Sequence, residues 1–214
     1  KKVVAPSIFI KNILSQELLC EDIKILPHGI SYEDVTINKK SYKNGDEIVF
    51  GFVGTLLEHK GLHLLLKSFH CIKSANIKLN IFGDFNNEYA LNLKQKYLKD
   101  SRISFKGSIS KDEMDEAYKS IDVLVIPSIC YESYSLVKHE AIIRNIPVIV
   151  SDLGALAEGV IHKKNSFKVN IFKEELENCI KDIAENCDLL NSIKKSLLTY
   201  AVPTIEQESF QYLN

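Results

Sequence analysis

Two glutamates with a candidate helix start between them carry the most legible chemistry in this chain. They are Glu132 and Glu140, in the segment IPSICYESYSLVKHEA. An apolar run ends at Pro127-Ser128, a loop follows, and a helix is expected to start near Ser135. If both glutamates were helical, their spacing would set them about 12 Å apart along the axis. A glycoside hydrolase needs its two carboxyls about 5–10 Å apart across one bond. The pair is therefore poorly placed to flank a single scissile bond and better placed to hold the two ends of a long ligand. The helix N-terminus between them offers free N–H groups and the positive end of the helix dipole, which favour a diphosphate. Carboxylate, anion site and carboxylate in a row suit a sugar, a diphosphate and a ribose.

A second candidate lies in GFVGTLLEHKG, at the end of the first strong apolar run. Gly51 and Gly54 allow close approach of backbone to a ligand. Lys60, at the edge of the next expected helix, is a plausible phosphate contact. The loop is neither a G-x-G-x-x-G fingerprint nor a P-loop. His59 and His63 flank Lys60-Gly61 within reach of a ligand there, whereas His139 reads as a packing or solvated residue. The histidines and cysteines have no metal-ligand spacing. Lys94, Lys96 and Lys99 read as a solvated helix face, and Cys130 as a small packing residue.

The elements that must position these residues follow from hydrophobic rhythm. Short β-branched runs at 23–26, 48–54, 77–83, 102–107, 121–128, 146–151 and 166–169 alternate with helical patterns at 62–72, 89–98, 111–120 and 136–144. Several runs are apolar without alternation, as in strands covered on both faces. Such alternation predicts βαβ units with right-handed crossovers, hence an α/β fold with a doubly wound, Rossmann-like parallel sheet. Ligands of such sheets bind outside the carboxyl ends of the strands, where both candidate loops lie. Ser110 and Glu113 form a capping-box pattern opening the third helix. Further helices are expected at 173–186, 189–200 and 205–213. The first 20 residues read as a separate strand and helix, and the polar stretch 31–47 as a linker. The expected division is 1–22, the tail end of a preceding domain and crossover; 23–200, the sheet domain; and 201–214, a C-terminal helix packing back toward that preceding domain.

Composition sets the outer bounds. The 214 residues are 45% apolar and 26% charged, with a net charge of -1. That balance argues against a dedicated nucleic-acid binder or a polybasic membrane anchor. The five cysteines are scattered and read as reduced thiols of a cytosolic protein. No apolar run approaches a membrane span, and no signal peptide is visible.

The two-glutamate segment resembles the signature of the retaining GT-B glycosyltransferases of group 1, the family of glycogen synthase and sucrose synthase relatives. In that family a Glu, seven intervening residues and a second Glu precede a Pro-led strand, here Glu132, Glu140 and Pro147-Val148-Ile149-Val150. Other landmarks fall in order: Gly54 through Lys60-Gly61, Gly83-Asp84, Phe105-Lys106-Gly107, Asp122, Gly154 through Glu158, and Asn165-Ser166-Phe167. Ala5-Pro6-Ser7 and Pro27-His28-Gly29-Ile30 resemble the family's crossing from its N-terminal to its C-terminal domain. Two positions depart from the pattern. Thr55 stands where an Arg is usual, which removes one of two cations expected on the diphosphate, and Ser135 stands where a glycine is usual.

The resemblance implies the C-terminal, donor-binding half of a GT-B fold, with extra C-terminal helices. The implied reaction moves a sugar from a UDP- or GDP-sugar to an acceptor hydroxyl with retention of configuration. Glu132 would contact the donor sugar, and Glu140 the ribose hydroxyls. Lys60 and the backbone N–H groups of Ser135, Leu136 and Val137 would stabilise the departing diphosphate. Gly54, Thr55 and Tyr134 would line the donor site, and backbone near Ile109 would meet the base. No metal and no cofactor besides the donor are implied. The acceptor, a glycan, a lipid-linked glycan or a small molecule, would belong to the missing N-terminal domain, so the isolated chain is expected to be inactive. The expected location is the cytoplasm, peripheral to the inner face of the membrane through that domain. A non-catalytic nucleotide-binding or scaffold member, and a GT-B-type sugar-nucleotide epimerase, remain open alternatives.

Overall fold

The rhythm of apolar runs folds as a parallel sheet with helices on both faces. The structure is a computed structural model describing residues 3–18, 22–33, 35–74 and 76–213. Lys1, Lys2, Leu19, Cys20, Glu21, Asp34, Ala75 and Asn214, which the expected ranges above include, lie outside the described residues.

The chain opens with β1 (Val3–Ala5), α1 (Ile8–Leu18) and β2 (Ile23–Ile25). There follow β3 (Ile48–Val53), α2 (Leu62–Cys71), β4 (Ile77–Phe82), α3 (Glu88–Tyr97) and β5 (Ile103–Gly107). The second half holds α4 (Met114–Lys119), β6 (Val123–Ile126), α5 (Leu136–Ile143), β7 (Val148–Ser151) and β8 (Phe167–Val169). It closes with α6 (Glu175–Glu185), α7 (Cys187–Leu197) and α8 (Ile205–Leu213).

Six strands form one parallel sheet in the order β5-β4-β3-β6-β7-β8. The chain winds outward from β3 to β5, then crosses back to β6 on the other side of β3. Strand order therefore reverses between β3 and β6, and the right-handed connections that follow them run to opposite sides of the sheet, which leaves a crevice at the carboxyl ends. The central strands are buried on both faces, with Ile48, Phe50, Val123, Leu124, Val148 and Ile149 all inaccessible. That double burial is why these runs are apolar without alternation.

Four local outcomes differ from the sequence expectations, each for a physical reason. β2 pairs with β1 in a separate two-stranded parallel sheet, so residue 23 does not begin the main sheet. The third helix starts at Met114. The Glu113 carboxylate turns back on Ser110, accepting its N–H at 2.9 Å and its hydroxyl at 2.8 Å, and the chain turns before the helix begins. The expected run 121–128 narrows to β6, and Asp122 just before it becomes a buried hub. Its carboxylate accepts the N–H of Val49 (2.9 Å) and the hydroxyl of Tyr42 (2.8 Å), and it pairs with Lys40 (2.9 Å). The polar stretch 31–47 is consequently pinned rather than loose: Tyr42 is buried, and Lys194 from α7 donates to Asn38 Oδ1 and Lys40 O.

The C-terminal helix forms over the expected residues and docks on the crossover segment. The Glu208 carboxylate accepts the N–H of Gly29 at 2.8 Å and pairs with His28 at 3.0 Å. Its outward residues Ile205, Tyr212 and Leu213 are exposed.

Candidate functional site

Two loops build the crevice, and close backbone contact locks them together. The loop after β3 ends in a single 3-10 turn, Glu58–Lys60, closed by Gly61. Gly61 has φ +72, and a Cβ there would lie 1.9 Å from the carbonyl oxygen of Pro127. Only glycine fits both the conformation and the space. Ile129 N–H donates to His59 O at 2.9 Å across the same seam. Lys60 is thereby aimed at the loop after β6, where its ammonium meets Glu132 Oε1 at 2.8 Å. Ser128, one residue past Pro127, donates its hydroxyl to the same oxygen at 2.6 Å. The Glu132 side chain is 10% exposed.

The loop after β6 leads into α5, capped by Ser135, whose hydroxyl accepts the N–H of Lys138 at 3.4 Å. The N–H groups of Leu136 and Val137 have no carbonyl within the helix to bond, as in any first helical turn. One turn further on, Glu140 accepts the hydroxyl of Tyr118 at 2.9 Å. Burial, with Glu140 beside it, pushes the Tyr118 hydroxyl well above its ordinary pKa, so it stays a donor. Arg144 lies over the Tyr118 ring and donates to the carbonyl oxygen of Glu140 at 3.0 Å, fixing both ends of the contact.

These residues line two adjoining cavities at the carboxyl ends of β3 and β6. The smaller, about 340 Å³, is lined by Lys60, Ser128, Glu132, Tyr134 and Ser135. The larger, about 640 Å³, runs past Asp84, Ile109 and Glu140. They share Val53, Gly54, Thr55, Leu136 and Val137. One cleft therefore runs from the Lys60–Glu132 pair, across the start of α5, to Glu140 and Ile109.

All ten residues that the resemblance assigns to the donor site line this cleft, and several of them also make contacts within the protein. Lys60 pairs with Glu132. Tyr134 sends its hydroxyl away from the cleft to the carbonyl oxygen of His28 (3.0 Å) and stacks on His139 at 4.4 Å. The Ser135 hydroxyl serves as the helix cap. His139 packs, as expected: burial, and then the neighbouring Lys138, lower its pKa to about 4. Its neutral ring meets the carbonyl oxygen of Ser135 at 2.7 Å. His63 lies against Tyr89 (2.8 Å) and does not line the cleft. Sequence reasoning missed Ser128, Tyr118 and Arg144, which hold the two glutamates. Ser128 had a signal, its place directly after the strand-ending proline. Among the described residues no three His, Cys, Asp or Glu side chains converge as a metal cluster, and no helix is long and apolar enough to cross a membrane.

Comparison with known proteins bears on the family and the fold. The family described as glycosyl transferases group 1 matches residues 34–196. The uncharacterized glycosyltransferase MJ1607 of Methanocaldococcus jannaschii is 30% identical over 161 residues, covering 70% of this chain and 41% of its own length. The lipopolysaccharide 1,2-N-acetylglucosaminetransferase of Salmonella typhimurium is 27% identical over 75% of this chain and 46% of its own. The chain thus spans about half the length, or less, of these curated relatives. Among solved structures, Anabaena Alr3699/HepE in complex with UDP and glucose superposes with a TM-score of 0.83 at 19% identity, over 99% of this chain and 61% of its own. The fold is the Rossmann-like C-terminal half of the GT-B architecture, and the chain belongs to the group 1 glycosyl transferases.

Proposed function

We propose that this chain is the donor-binding half of a sugar transferase, acting on a nucleoside diphosphate sugar with retention of configuration. The sugar lies at the Lys60–Glu132 end of the cleft. The diphosphate crosses Gly54, Thr55 and the start of α5, and the nucleoside occupies the larger cavity with its ribose on Glu140 and its base against Ile109. The observation that carries this reading is the continuous cleft itself, with a carboxylate at each end and a helix N-terminus between them.

The chemistry follows from charge. Breaking the bond between the sugar's anomeric carbon and the diphosphate leaves negative charge on the phosphate oxygens. The Leu136 and Val137 N–H groups and the Lys60 ammonium are fixed before that charge develops, the condition under which such groups stabilise it best. The acceptor hydroxyl bonds to the anomeric carbon on the face the diphosphate leaves, and its proton departs with the diphosphate or to solvent. The acceptor itself is held by the other half of the longer relatives' architecture. The matched N-acetylglucosaminetransferase and the UDP-bound structure support a UDP-sugar as the first donor to try, with GDP-sugars beside it.

Calorimetric titration of the chain with UDP, GDP and their sugars tests this directly. Binding of one nucleoside diphosphate, with the parent nucleoside much weaker, is expected. The absence of heat and of thermal shift with all of them at millimolar concentration would refute it. One observation favours a second reading, nucleotide binding without transfer: Lys60 is the one cation lining the cleft among the described residues, and Glu132 neutralises it. A product assay on a two-domain form of the protein separates the two.

A further inference from the structure

The loop that carries Glu132 is braced from outside the main sheet. Tyr131, the residue before Glu132, is 68% exposed, yet its ring lies 5.0 Å from that of Phe9 in α1, tilted by 31°. Both rings close over Gly154, where a Cβ would come within 3.0 Å of Tyr131 and 3.1 Å of Phe9. Gly154 also has φ +51, so the backbone conformation and the close packing both call for glycine.

The start of α1, where the Ser7 hydroxyl accepts the N–H of Ile10 at 3.2 Å, is tied to the sheet domain by one further side chain. The Glu158 carboxylate accepts the N–H of Ile8 at 3.0 Å and that of Phe9 beside it. These are two of the four N–H groups that a helix start leaves without partners, and a carboxylate there also faces the positive end of the dipole. Glu158 follows the single turn Gly154–Leu156, and that turn is itself anchored to α5. Lys138, buried in the first turn of α5, donates to the carbonyl oxygens of Ala155 (3.3 Å), Leu156 (3.2 Å) and Glu158 (3.0 Å). The contacts close a ring: from the start of α5 through Lys138 to the turn, through Glu158 to α1, and through Phe9 and Tyr131 to Glu132.

An exposed ring stacked on another contributes little to stability by itself, since surface contacts are usually worth under about 0.5 kcal/mol. Its consequence lies in placement, because Tyr131 adjoins the carboxylate at the sugar end of the cleft. We propose that Glu158 is a positioning residue for the donor sugar: by fixing the start of α1 it holds Phe9 against Tyr131 and so sets the Glu132 loop. This rests on the donor layout given above and goes beyond it, since Glu158 lines neither part of the donor cleft.

The chain contains no tryptophan, so Tyr131→Trp places a single fluorescent reporter on the loop. In that background Glu158→Gln and Phe9→Leu are each expected to red-shift the emission and raise acrylamide quenching, with far-ultraviolet circular dichroism unchanged. Unchanged emission and quenching in both would overturn the proposal. The second arm titrates the chain, without the reporter, with UDP, GDP, UDP-glucose and GDP-mannose. Glu158→Gln is expected to weaken the sugar nucleotide that binds by about three- to tenfold, the size of a small misplacement, while the matching nucleoside diphosphate stays within about twofold. Equal weakening of both would mean a merely structural role and refute the proposal. If the unmutated chain bound no nucleotide, the donor layout would fall, while the fluorescence arm would still decide whether Glu158 sets the loop.

Discussion

Glu132 and Glu140 were legible as a pair because a helix start falls between them and because their segment resembles the two-glutamate signature; type and spacing alone would also suit two surface glutamates. The residues that hold them were not legible. Tyr118 reads as one more aromatic on a core-facing helix, and it is 22 positions from Glu140 in sequence. Only the crossing of the chain through β6 brings them together. Yet the contact is specific: a buried hydroxyl, kept protonated, donates to the carboxylate proposed to meet the ribose. Tyr118→Phe removes that donor with little change of shape. A hydrogen bond to a charged group is worth roughly 1.5–3 kcal/mol, but Glu140 can turn toward solvent, so a cost of about 1 kcal/mol in stability is expected. Urea unfolding measures it. Nucleoside diphosphate affinity is expected to fall several-fold, and unchanged affinity would detach Tyr118 from the site.

At the scale of elements, β3, β6 and β7 were legible because burial on both faces leaves a nearly continuous apolar run, whereas β4 and β8 show the alternation of strands with one more open face. The start of α4 was not, because Glu113 bonds back to Ser110 instead of completing a reciprocal cap. The stretch 31–47 looked like a linker because its anchor, Asp122, is 80 positions from Tyr42. Two elements carry predictions. The seam between the β3 and β6 loops depends on Gly61, so Gly61→Ala must displace the carbonyl of Pro127 or unwind the turn. Strain of this kind costs about 1–3 kcal/mol, and a lower thermal midpoint with weakened nucleotide binding is expected. A midpoint equal to wild type would contradict the close approach. The second prediction concerns α5. His139 has a folded-state pKa of about 4 against an ordinary 6.5, because burial disfavours its charged form. Between those values the unfolded chain binds more protons than the folded one, so stability rises with pH through that window. The contribution is fully present above about 6.5 and lost as pH falls toward 4, by about 3 kcal/mol in all. His139→Phe keeps a ring against Tyr134 and removes the titration. It is expected to flatten the acid limb of a plot of unfolding free energy against pH, and an unchanged limb would refute the assignment.

At the scale of the whole molecule, the sheet order puts both loops where the chain connections leave the paired strands β3 and β6 in opposite directions, which is why residues about 80 positions apart line one cleft. The chain covers 41% and 46% of the length of two curated relatives, and the cleft proposed to bind the donor lies within it. Transfer needs an acceptor oriented as well. Orientation of two reactants accounts for roughly 7–11 kcal/mol of a barrier, and donor contacts alone supply only one side of it. A radiolabelled-donor assay of this chain against a broad acceptor mixture is therefore expected to give no transfer at ordinary enzyme rates, and robust transfer would place an acceptor site within these residues. The central claim is the order of the donor along the cleft, with sugar at Glu132 and ribose at Glu140. Its most direct test is calorimetric titration of Glu132→Ala and Glu140→Ala with a nucleoside diphosphate and with the matching sugar nucleotide. Glu140→Ala is expected to weaken both ligands about tenfold or more, as the loss of charge-assisted hydrogen bonds to the ribose requires. Glu132→Ala is expected to leave the free diphosphate nearly unchanged and to weaken the intact donor. Equal loss of the free diphosphate in both variants would contradict the account.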